Sequence, residues 1–469
     1  MSEGNAMPSS AATVSATSSP ATVNSGARLD ALPMSSFHRR VLWLIGAGMF
    51  FDSFDIYLAG GVLGAMVKSG FSDIGHNASF ISATFVGMAI GAIFAGILGD
   101  RFGRRFSYQL NLAIFGVASL AAAFAPSMQW LIPLRFVMGV GLGAEIVVGY
   151  ATLTEFIPPT HRGGWSGLLS LITNSALFVS SLVGLLIIPT LGWQWMFAIG
   201  GIGALIVWYL RKSMPESPRW LESKGRTEEA ESLMASIEAE ALAGKPVPRS
   251  PIVAAPPSEG GSILAVLKGE LGLRTLVAAT TTVGTSLVIY GFLQWIPTFF
   301  VREGHTVVSS LYFTTLMTLG GPVGALIGFM ISDRIGRKRG LIVFSLVAFV
   351  IGAFYPFIAN DWLLTFVGFL LVSMIYLLVT LNIATYIPEL FPTEYRLRGA
   401  GVANTISRLV SIGIPYMTVF VIGLGESVGI GGVGAVVAMA LAALLIQAAI
   451  VAWLGIETKR QPLEALAPR

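Results

Sequence analysis

Twelve apolar runs, each about as long as a membrane-spanning helix, constrain this chain more than any other feature of its sequence. A helix that crosses a bilayer needs about 20 apolar residues. The runs begin near Val41, Ala78, Phe106, Gln129, Trp165, Trp193, Leu273, Ser309, Leu341, Trp362, Gly399 and Gly431. Because 54% of the residues are hydrophobic and only 12% are charged, a single soluble core could not bury them. The pattern predicts an all-α membrane protein with twelve transmembrane helices.

Lysine and arginine fall mainly on one side of the predicted spans. In the loops of the opposite side we find only Lys68 and Arg302. Loops that face the cytoplasm carry an excess of basic residues, so both termini are predicted to be cytoplasmic. A bacterial inner membrane is the expected location. The net charge of +4 therefore reflects topology, and we expect no nucleic-acid partner.

Polar stretches divide the chain into five parts. Residues 1–36, rich in Ser, Ala, Thr and Pro, are predicted to form a disordered cytoplasmic tail. Two six-helix bundles are expected at 37–212 and 271–457, with a cytoplasmic central loop at 213–270 and a short tail at 458–469. The stretch TEEAESLMASIEAEAL in the central loop has a helical pattern. The absence of cysteine excludes disulfides, and we expect a monomer without cofactors.

The two predicted bundles repeat one another. Shifting the first by 233 residues places Gly87, Gly91, Asp100, Arg101, Gly103 and Arg104 on Gly320, Gly324, Asp333, Arg334, Gly336 and Arg337. Such a duplication is typical of a transporter whose central site lies between two pseudo-symmetric bundles.

Four loop motifs resemble those of a known family. GDRFGRR (99–105) and SDRIGRK (332–338) are similar to the cytoplasmic signature of the major facilitator superfamily. PESPRWL (215–221) and PELFPTEYRLRG (388–399) resemble signatures of its sugar-porter-like branches. The resemblance covers about 41–457 and implies alternating access by two rocking bundles.

Charged residues in these motifs are candidates for a cytoplasmic gate. Ion pairs between the loop arginines and acidic groups at neighbouring helix ends would hold the cytoplasmic side shut and break when it opens. The alternative is a solvated turn that only anchors the helices. The candidates are Asp100, Arg101, Arg104, Arg105, Glu155, Arg162, Asp333, Arg334, Arg337, Glu389 and Arg398.

Two carboxylates interrupt the first apolar run, in FFDSFDIYL (50–58). A charge at the bilayer centre costs at least ~2.5 kcal/mol, so Asp52 and Asp55 are expected to face a cavity or a partner. At 1.5 Å per residue, Asp55 and Arg135 of the fourth span lie at about the same depth, and Glu145 lies about 15 Å from Arg135. These four residues are candidates for proton coupling, with Asp52 also expected to shape the substrate site. The alternative is a permanent structural ion pair.

The family resemblance supports that pairing. In sugar porters, an Asp of the first span and the Arg that opens an R-x-x-x-G-x-G-x-G run form a proton-responsive pair. Asp55 and Arg135, in RFVMGVGLG, occupy those positions. The D-x-x-D and GLG-x-E patterns, YGFLQWIP (290–297) and an Arg in the eleventh span are most similar to the nicotinate and aromatic-acid proton symporters.

Candidate substrate residues lie mainly in the second bundle. Arg408, near mid-membrane, is suited to hold a carboxylate, and aromatic and amide side chains could contact a small ring. The candidates are Arg408, Tyr290, Gln294, Trp295, Asn174 and Asn382. The alternative is that Arg408 pairs with an acidic residue and that the aromatic side chains serve only in packing.

The driving force is expected to be a proton gradient. The sequence contains no G-x-x-x-x-G-K-[ST] motif for ATP and no nucleophile or metal set in its spans, so an enzyme is not expected. We predict a proton-coupled symporter of a small organic solute, an anionic carboxylate being favoured. A sugar or polyol transporter, a drug or cation exporter and a non-transporting sensor remain alternatives.

Overall fold

The computed structural model describes residues 23–158, 161–242, 263–391 and 395–458, and these ranges contain helices and turns without strands. The helices are α1 (Ser25–Ala31), α2 (Ser36–Lys68), α3 (Ile74–Phe102), α4 (Arg104–Ala122), α5 (Met128–Phe156), α6 (Arg162–Leu191), α7 (Gln194–Leu210), α8 (Pro218–Ser223), α9 (Thr227–Leu242), α10 (Gly269–Leu287), α11 (Ile296–Arg302), α12 (Val307–Thr318), α13 (Gly320–Ile335), α14 (Arg337–Phe354), α15 (Asp361–Val379), α16 (Ile387–Leu390), α17 (Arg396–Ser427) and α18 (Gly432–Leu454).

The prediction of a twelve-span helical membrane protein is confirmed. Ten spans among the described residues are long and apolar enough to cross a bilayer by themselves. The third span, α4, is less apolar, and the sixth, α7, has only 17 residues. Both are held by packing, since α4 contacts α5 and α7, and α7 also contacts α2. We call the membrane side where α2 begins and α18 ends the terminal side, and the opposite side the far side.

Two spans of the second bundle are interrupted by π-helical turns. The seventh span runs through α10, a π-turn at Val288–Phe292, a 3-10 turn at Leu293–Trp295, and α11. The tenth span runs through α15, a π-turn at Thr380–Tyr386, and α16. Because π-turns insert an extra residue into the helical ladder, they frequently mark functional sites. Here they carry the candidate substrate residues Tyr290 and Asn382.

The repeated glycines allow equivalent helices of the two bundles to approach closely. A Cβ added to Gly91 of α3 would lie 2.0 Å from the carbonyl oxygen of Val140 on α5. In the second bundle, a Cβ at Gly324 of α13 would lie 2.0 Å from the carbonyl oxygen of Ser373 on α15. No side chain fits either gap, so backbone packing explains why both copies carry glycine.

Structured residues precede the first span, where the sequence analysis predicts a disordered tail through residue 36. Helix α1 contacts α8 and α9 of the central loop, and Leu29 is fully buried. Asp30 binds both Arg162 and Arg219, at 2.8 and 2.7 Å. These partners are distant in sequence, so the local composition gave no indication of them. Helix α9 spans the TEEAESLMASIEAEAL stretch, as predicted.

Removing the Asp30 carboxylate should loosen α1. Asp30→Asn breaks two ion pairs that are about one-third exposed, which together contribute about 1 kcal/mol. Amide exchange in α1 should then rise about fivefold when followed by hydrogen–deuterium exchange mass spectrometry. Glu228→Gln, in the first turn of α9, is the control. Unchanged exchange in Asp30→Asn would contradict a stabilising role for these contacts.

The contact between α1 and the central loop should also depend on pH. Partial burial alone would raise the pKa of Glu222, but hydrogen bonds from Ser25 and Asn24 outweigh it and lower the pKa. A lowered carboxyl pKa stabilises the contact above the ordinary glutamate pKa, and the stabilisation is lost as the pH falls through the lowered value.

Hydrogen bonds that join the two bundles lie between the membrane centre and the far side. Ser82 of α3 donates to the carbonyl of Ile412 at 2.8 Å, and Thr315 of α12 donates to that of Ser181 at 3.1 Å. These bonds join the two bundles on the far side of the membrane centre. In the same region, residues of both bundles, among them Tyr57, Ile188 and Leu311, line a cavity of about 30 Å³, which is room for about one or two water molecules.

Candidate functional site

The structure brings Asp55 and Arg135 together in the interior of the first bundle. Both side chains are almost fully buried, and they form a direct ion pair. Arg135 also donates to the Thr84 hydroxyl at 2.8 Å and to the Asp55 carbonyl oxygen at 3.1 Å. Its guanidinium lies over the Phe80 ring, 4.8 Å from the centroid. These contacts hold the pair firmly, at the common depth that the sequence predicts.

Glu145, a candidate for proton coupling, has a partner that the sequence analysis did not select. Arg211 follows the last residue of α7, is 1% exposed, and forms an ion pair with Glu145. It also donates to the carbonyl oxygens of Leu44 and Ile45 at 2.7 and 2.8 Å. The position of Arg211 directly after a span of only 17 residues was the available signal.

Asp52 lies with this second group of charges. Its side chain is 1% exposed, and neither carboxylate oxygen has a hydrogen-bond partner among the described residues. Glu145, Arg211 and Asp55 are within electrostatic range of it. Packing of α2 against α5 and α7 places Asp52 inside the first bundle, and its role in shaping the substrate site stays a prediction.

Arg408 lies at the centre of the second bundle with unused hydrogen-bonding capacity. It is half-buried, and its Nη1 is buried with no hydrogen-bond partner among the described residues. Tyr290 is the titratable group that interacts with it electrostatically. No acidic side chain pairs with it in the part of the chain that the structure describes. The arginine is therefore available to an anion.

Three tyrosines from both bundles meet near Arg408. The rings of Tyr57 and Tyr376 are 6.5 Å apart, and both tyrosines interact electrostatically with Tyr290. Tyr290 in turn packs edge-on against Phe85, with ring centroids 4.5 Å apart. The sequence analysis did not select Tyr57 or Tyr376. Their clustering depends on the way the first and tenth spans cross.

The other predicted substrate residues have varied surroundings. Asn382 is fully buried, and neither its amide nitrogen nor its oxygen has a partner among the described residues. Gln294 donates to the Ile56 carbonyl at 2.9 Å and thereby joins the bundles. Trp295 is 1% exposed and donates to the Tyr290 carbonyl, so it helps to hold the backbone of Tyr290 in place. Asn174 donates to Ser170 on its own helix.

The candidate gate residues form an ion-pair network within each bundle on the terminal side. Arg104 binds Glu155 at 3.3 Å, and its counterpart Arg337 binds Glu389 at 2.9 Å. Three further candidate arginines, all in the first bundle, have local partners: Arg105 donates to the Lys212 carbonyl, Arg162 binds Asp30 and the Ile157 carbonyl, and Arg101 lies over the Phe102 ring.

Other predicted gate residues are less well defined by the structure. Arg334 is exposed, and Nη1 of Arg398 is buried without a partner among the described residues. The side chains of Asp100 and Asp333 lie outside the described part of the chain, so the predictions for them stay predictions.

Two further acids complete this network. Glu216 accepts hydrogen bonds from the backbone N–H groups of Arg104 and Arg105, at 2.9 and 3.2 Å. Glu457 accepts one from the N–H of Arg337 at 2.9 Å. Each carboxylate therefore caps the helix that follows the loop motif. Burial raises the pKa of Glu216, and its backbone hydrogen bonds offset this only in part.

The loop glycines are required by this capping. Gly103 and Gly336 have φ values of 99° and 95°, which L side chains rarely adopt. A Cβ on Gly103 would also lie 2.2 Å from the Glu216 carboxylate. The repeated G-R dipeptide thus combines a backbone conformation with space for the capping acid.

The described residues contain no group of three or more His, Asp or Glu side chains arranged to hold a metal ion. A duplicated twelve-helix bundle with buried charges at its centre defines a membrane transporter. The profile of the Major Facilitator Superfamily matches residues 45–415. The chain belongs to this superfamily, as the loop motifs predict, and it is a transporter and not an enzyme.

Relatives are similar over nearly the whole chain. The inner membrane metabolite transport protein YdjE of Escherichia coli is 37% identical over 450 residues, covering 94% of this chain and 98% of YdjE. The niacin transporter NiaP of Acinetobacter baylyi is 32% identical, covering 94% of this chain and 98% of NiaP.

Solved structures share the fold at low sequence identity. The inward-open conformation of the xylose transporter XylE from E. coli has a TM-score of 0.69 and 18% identity, covering 92% of this chain and 99% of XylE. XylE described as a proton:xylose symporter, bound to 6-bromo-6-deoxy-D-glucose, has a TM-score of 0.67.

Proposed function

We propose that this protein is a proton-coupled symporter that moves a small organic carboxylate across the membrane by alternating access. The observation that carries the proposal is the partly unpaired guanidinium of Arg408 at the centre of the second bundle. A buried donor without a partner costs about 1–3 kcal/mol. A substrate carboxylate would supply the missing acceptors and could bind bidentately.

The aromatic surroundings favour a small ring attached to the carboxylate. Tyr57, Tyr290 and Tyr376 provide faces and edges for a planar ring, and their hydroxyls can donate to the substrate. The buried Asn382 amide offers a donor and an acceptor that no described residue uses. The name of the NiaP relative, a niacin transporter, supports an aromatic acid. A metabolite as substrate is also consistent with the name of YdjE.

Proton coupling is assigned to the Asp55–Arg135 pair. Protonation of Asp55 removes the charge that balances Arg135, so the pair weakens and the helices that carry it can shift. The pair joins α2 to α5, and α2 also packs against α11 of the second bundle. A change at the pair can therefore reach the contacts between the bundles.

The terminal side is proposed to face the cytoplasm of a bacterial inner membrane, in accordance with the excess of basic residues there. Closure of the far side by Ser82, Thr315 and Gln294 then corresponds to a conformation open toward the cytoplasm. The Arg104–Glu155 and Arg337–Glu389 pairs each lie within one bundle. Because both pairs are formed in this conformation, we propose that they, with Asp100 and Asp333, act at the cytoplasmic gate by keeping the helix ends of each bundle together, and not as a latch that breaks when the gate opens. The transporter is proposed to act as a monomer.

A comparison of nicotinate with nicotinamide tests the substrate assignment, because the two ligands share a ring and differ in the carboxylate. Nicotinate should bind the purified protein about 10 to 100 times more tightly, since the charged hydrogen bonds to Arg408 are worth about 1.5–3 kcal/mol. Isothermal titration measures both affinities, and benzoate extends the test to other aromatic acids.

Transport by proteoliposomes completes the test. An imposed proton gradient should drive accumulation of the bound acid, and a protonophore should collapse it. Protein-free liposomes provide the control for passive entry of the protonated acid. Equal affinity for acid and amide, or binding of xylose or inositol but of none of the acids, would reject carboxylate transport.

A further inference from the structure

The buried charges of the first bundle do not balance. Three carboxylates, on Asp52, Asp55 and Glu145, are at most 1% exposed, and they are accompanied by two equally buried guanidiniums, on Arg135 and Arg211. With every group ionised, the interior of this bundle would carry one uncompensated negative charge. An unpaired buried charge is costly, and a protein usually removes it by protonation.

The geometry identifies where the excess charge lies. Asp55 has its own countercharge in Arg135, which donates to one carboxylate oxygen and to the Asp55 carbonyl oxygen. Glu145 and Asp52 are then left to share Arg211. That guanidinium already donates to two backbone carbonyls and forms an ion pair with Glu145, whereas Asp52 has neither an ion pair nor a hydrogen bond among the described residues.

Surrounding helices supply no other described charge to the group. Tyr108 of α4 lies under the Arg211 guanidinium at 4.8 Å, and its hydroxyl donates to the Val148 carbonyl at 2.8 Å. Helix α6 has one ionisable side chain, Arg162 at its first residue, which is engaged with Asp30. On α5 the other buried charge is Arg135, which is paired with Asp55.

We propose that Asp52, Glu145 and Arg211 form a second proton-binding site, in which two carboxylates share one guanidinium and one proton. The inference deepens the proposed function, on which its role in transport rests. Glu145 lies about 15 Å nearer the terminal side than Arg135 on the same helix. Asp52 is one turn from Asp55 on α2, so it connects the new site with the Asp55–Arg135 pair.

The site predicts a specific response to neutral substitutions. In Glu145→Gln the remaining Asp52 and Arg211 balance one another, and in Asp52→Asn the remaining Glu145 and Arg211 do so. Either substitution therefore removes the need for the proton. If the residues had a purely structural role, the two substitutions would not have the same effect, since Asp52 makes no hydrogen bond among the described residues that its loss could break.

Infrared spectroscopy of the purified protein at neutral pH detects the proton directly. The wild type should show a protonated-carboxyl stretching band that is absent from both Asp52→Asn and Glu145→Gln and is retained in Asp55→Asn. Asp52→Glu, which keeps the carboxyl group, should restore it. Circular dichroism establishes that each variant is folded. Retention of the band in folded Asp52→Asn or folded Glu145→Gln would overturn the proposal.

A transport measurement tests this inference separately from the proposed function. The number of protons moved per substrate, measured in proteoliposomes from the gradient that stops net uptake, should fall by one in Glu145→Gln. An unchanged number would overturn the participation of the site in coupling. The infrared result requires neither substrate nor transport, so failure of carboxylate symport would appear in the uptake assay and leave the spectrum unchanged.

Discussion

Arg408→Ala is expected to weaken binding of the carboxylate substrate about 100-fold. The substitution removes the central guanidinium, and its charge-assisted hydrogen bonds contribute about 3 kcal/mol at most. Arg408→Lys should recover part of the affinity, because it keeps the charge and loses the planar, bidentate geometry. Titration of the purified variants with nicotinate, or with whichever acid binds the wild type, measures the effect.

A matched control is available in the same bundle. Arg302 lies at the far-side end of α11 and binds Glu426 at 2.7 Å in an exposed ion pair, so Arg302→Ala removes a guanidinium without touching the central site. It should leave the affinity within about twofold. If Arg408→Ala bound the acid as tightly as the wild type, the carboxylate would have to bind elsewhere.

Asp55→Asn is expected to abolish accumulation driven by a proton gradient while leaving counterflow exchange. Asparagine resembles the protonated carboxyl group in shape and charge, so Arg135 loses its counter-ion permanently and the pair can no longer respond to the gradient. Exchange of labelled for unlabelled substrate needs alternating access without net proton movement. Both activities can be measured in the same proteoliposome preparation.

The expected separation of the two activities makes this test specific. A variant that had lost its fold or its substrate site would lose exchange as well as accumulation. Glu426→Gln, at the far-side end of α17, serves as a control for removal of a carboxylate and should retain both. Wild-type accumulation by Asp55→Asn, still collapsed by a protonophore, would show that the pair is not required for coupling. The cluster of Asp52, Glu145 and Arg211 would then be the remaining site.

Some properties of the candidate site follow from local sequence because they depend on spacing along one helix. Asp55 and Arg135 could be matched from their depths, since each residue advances a helix by about 1.5 Å. The repeated loop motif likewise predicts ion pairs between its arginines and acidic groups at neighbouring helix ends, and the structure forms such pairs between Arg104 and Glu155 and between Arg337 and Glu389. Their capping partners Glu216 and Glu457 could not be found this way, because each lies in a loop more than 100 residues away along the chain.

By itself, the sequence determined that this is a duplicated, twelve-span helical membrane protein of the Major Facilitator Superfamily. Apolar runs of bilayer length and glycines at a constant offset are local signals, and the bilayer leaves few alternatives for satisfying a backbone within it. Only the tertiary structure determined which buried carboxylates lie beside which guanidiniums. It paired Arg211, the residue that follows α7, with Glu145, placed Asp52 in the same group of charges, and brought tyrosines from three spans together around Tyr290. These outcomes depend on helix rotation and crossing, which are set by packing between distant segments and not by the order of residues within any one span.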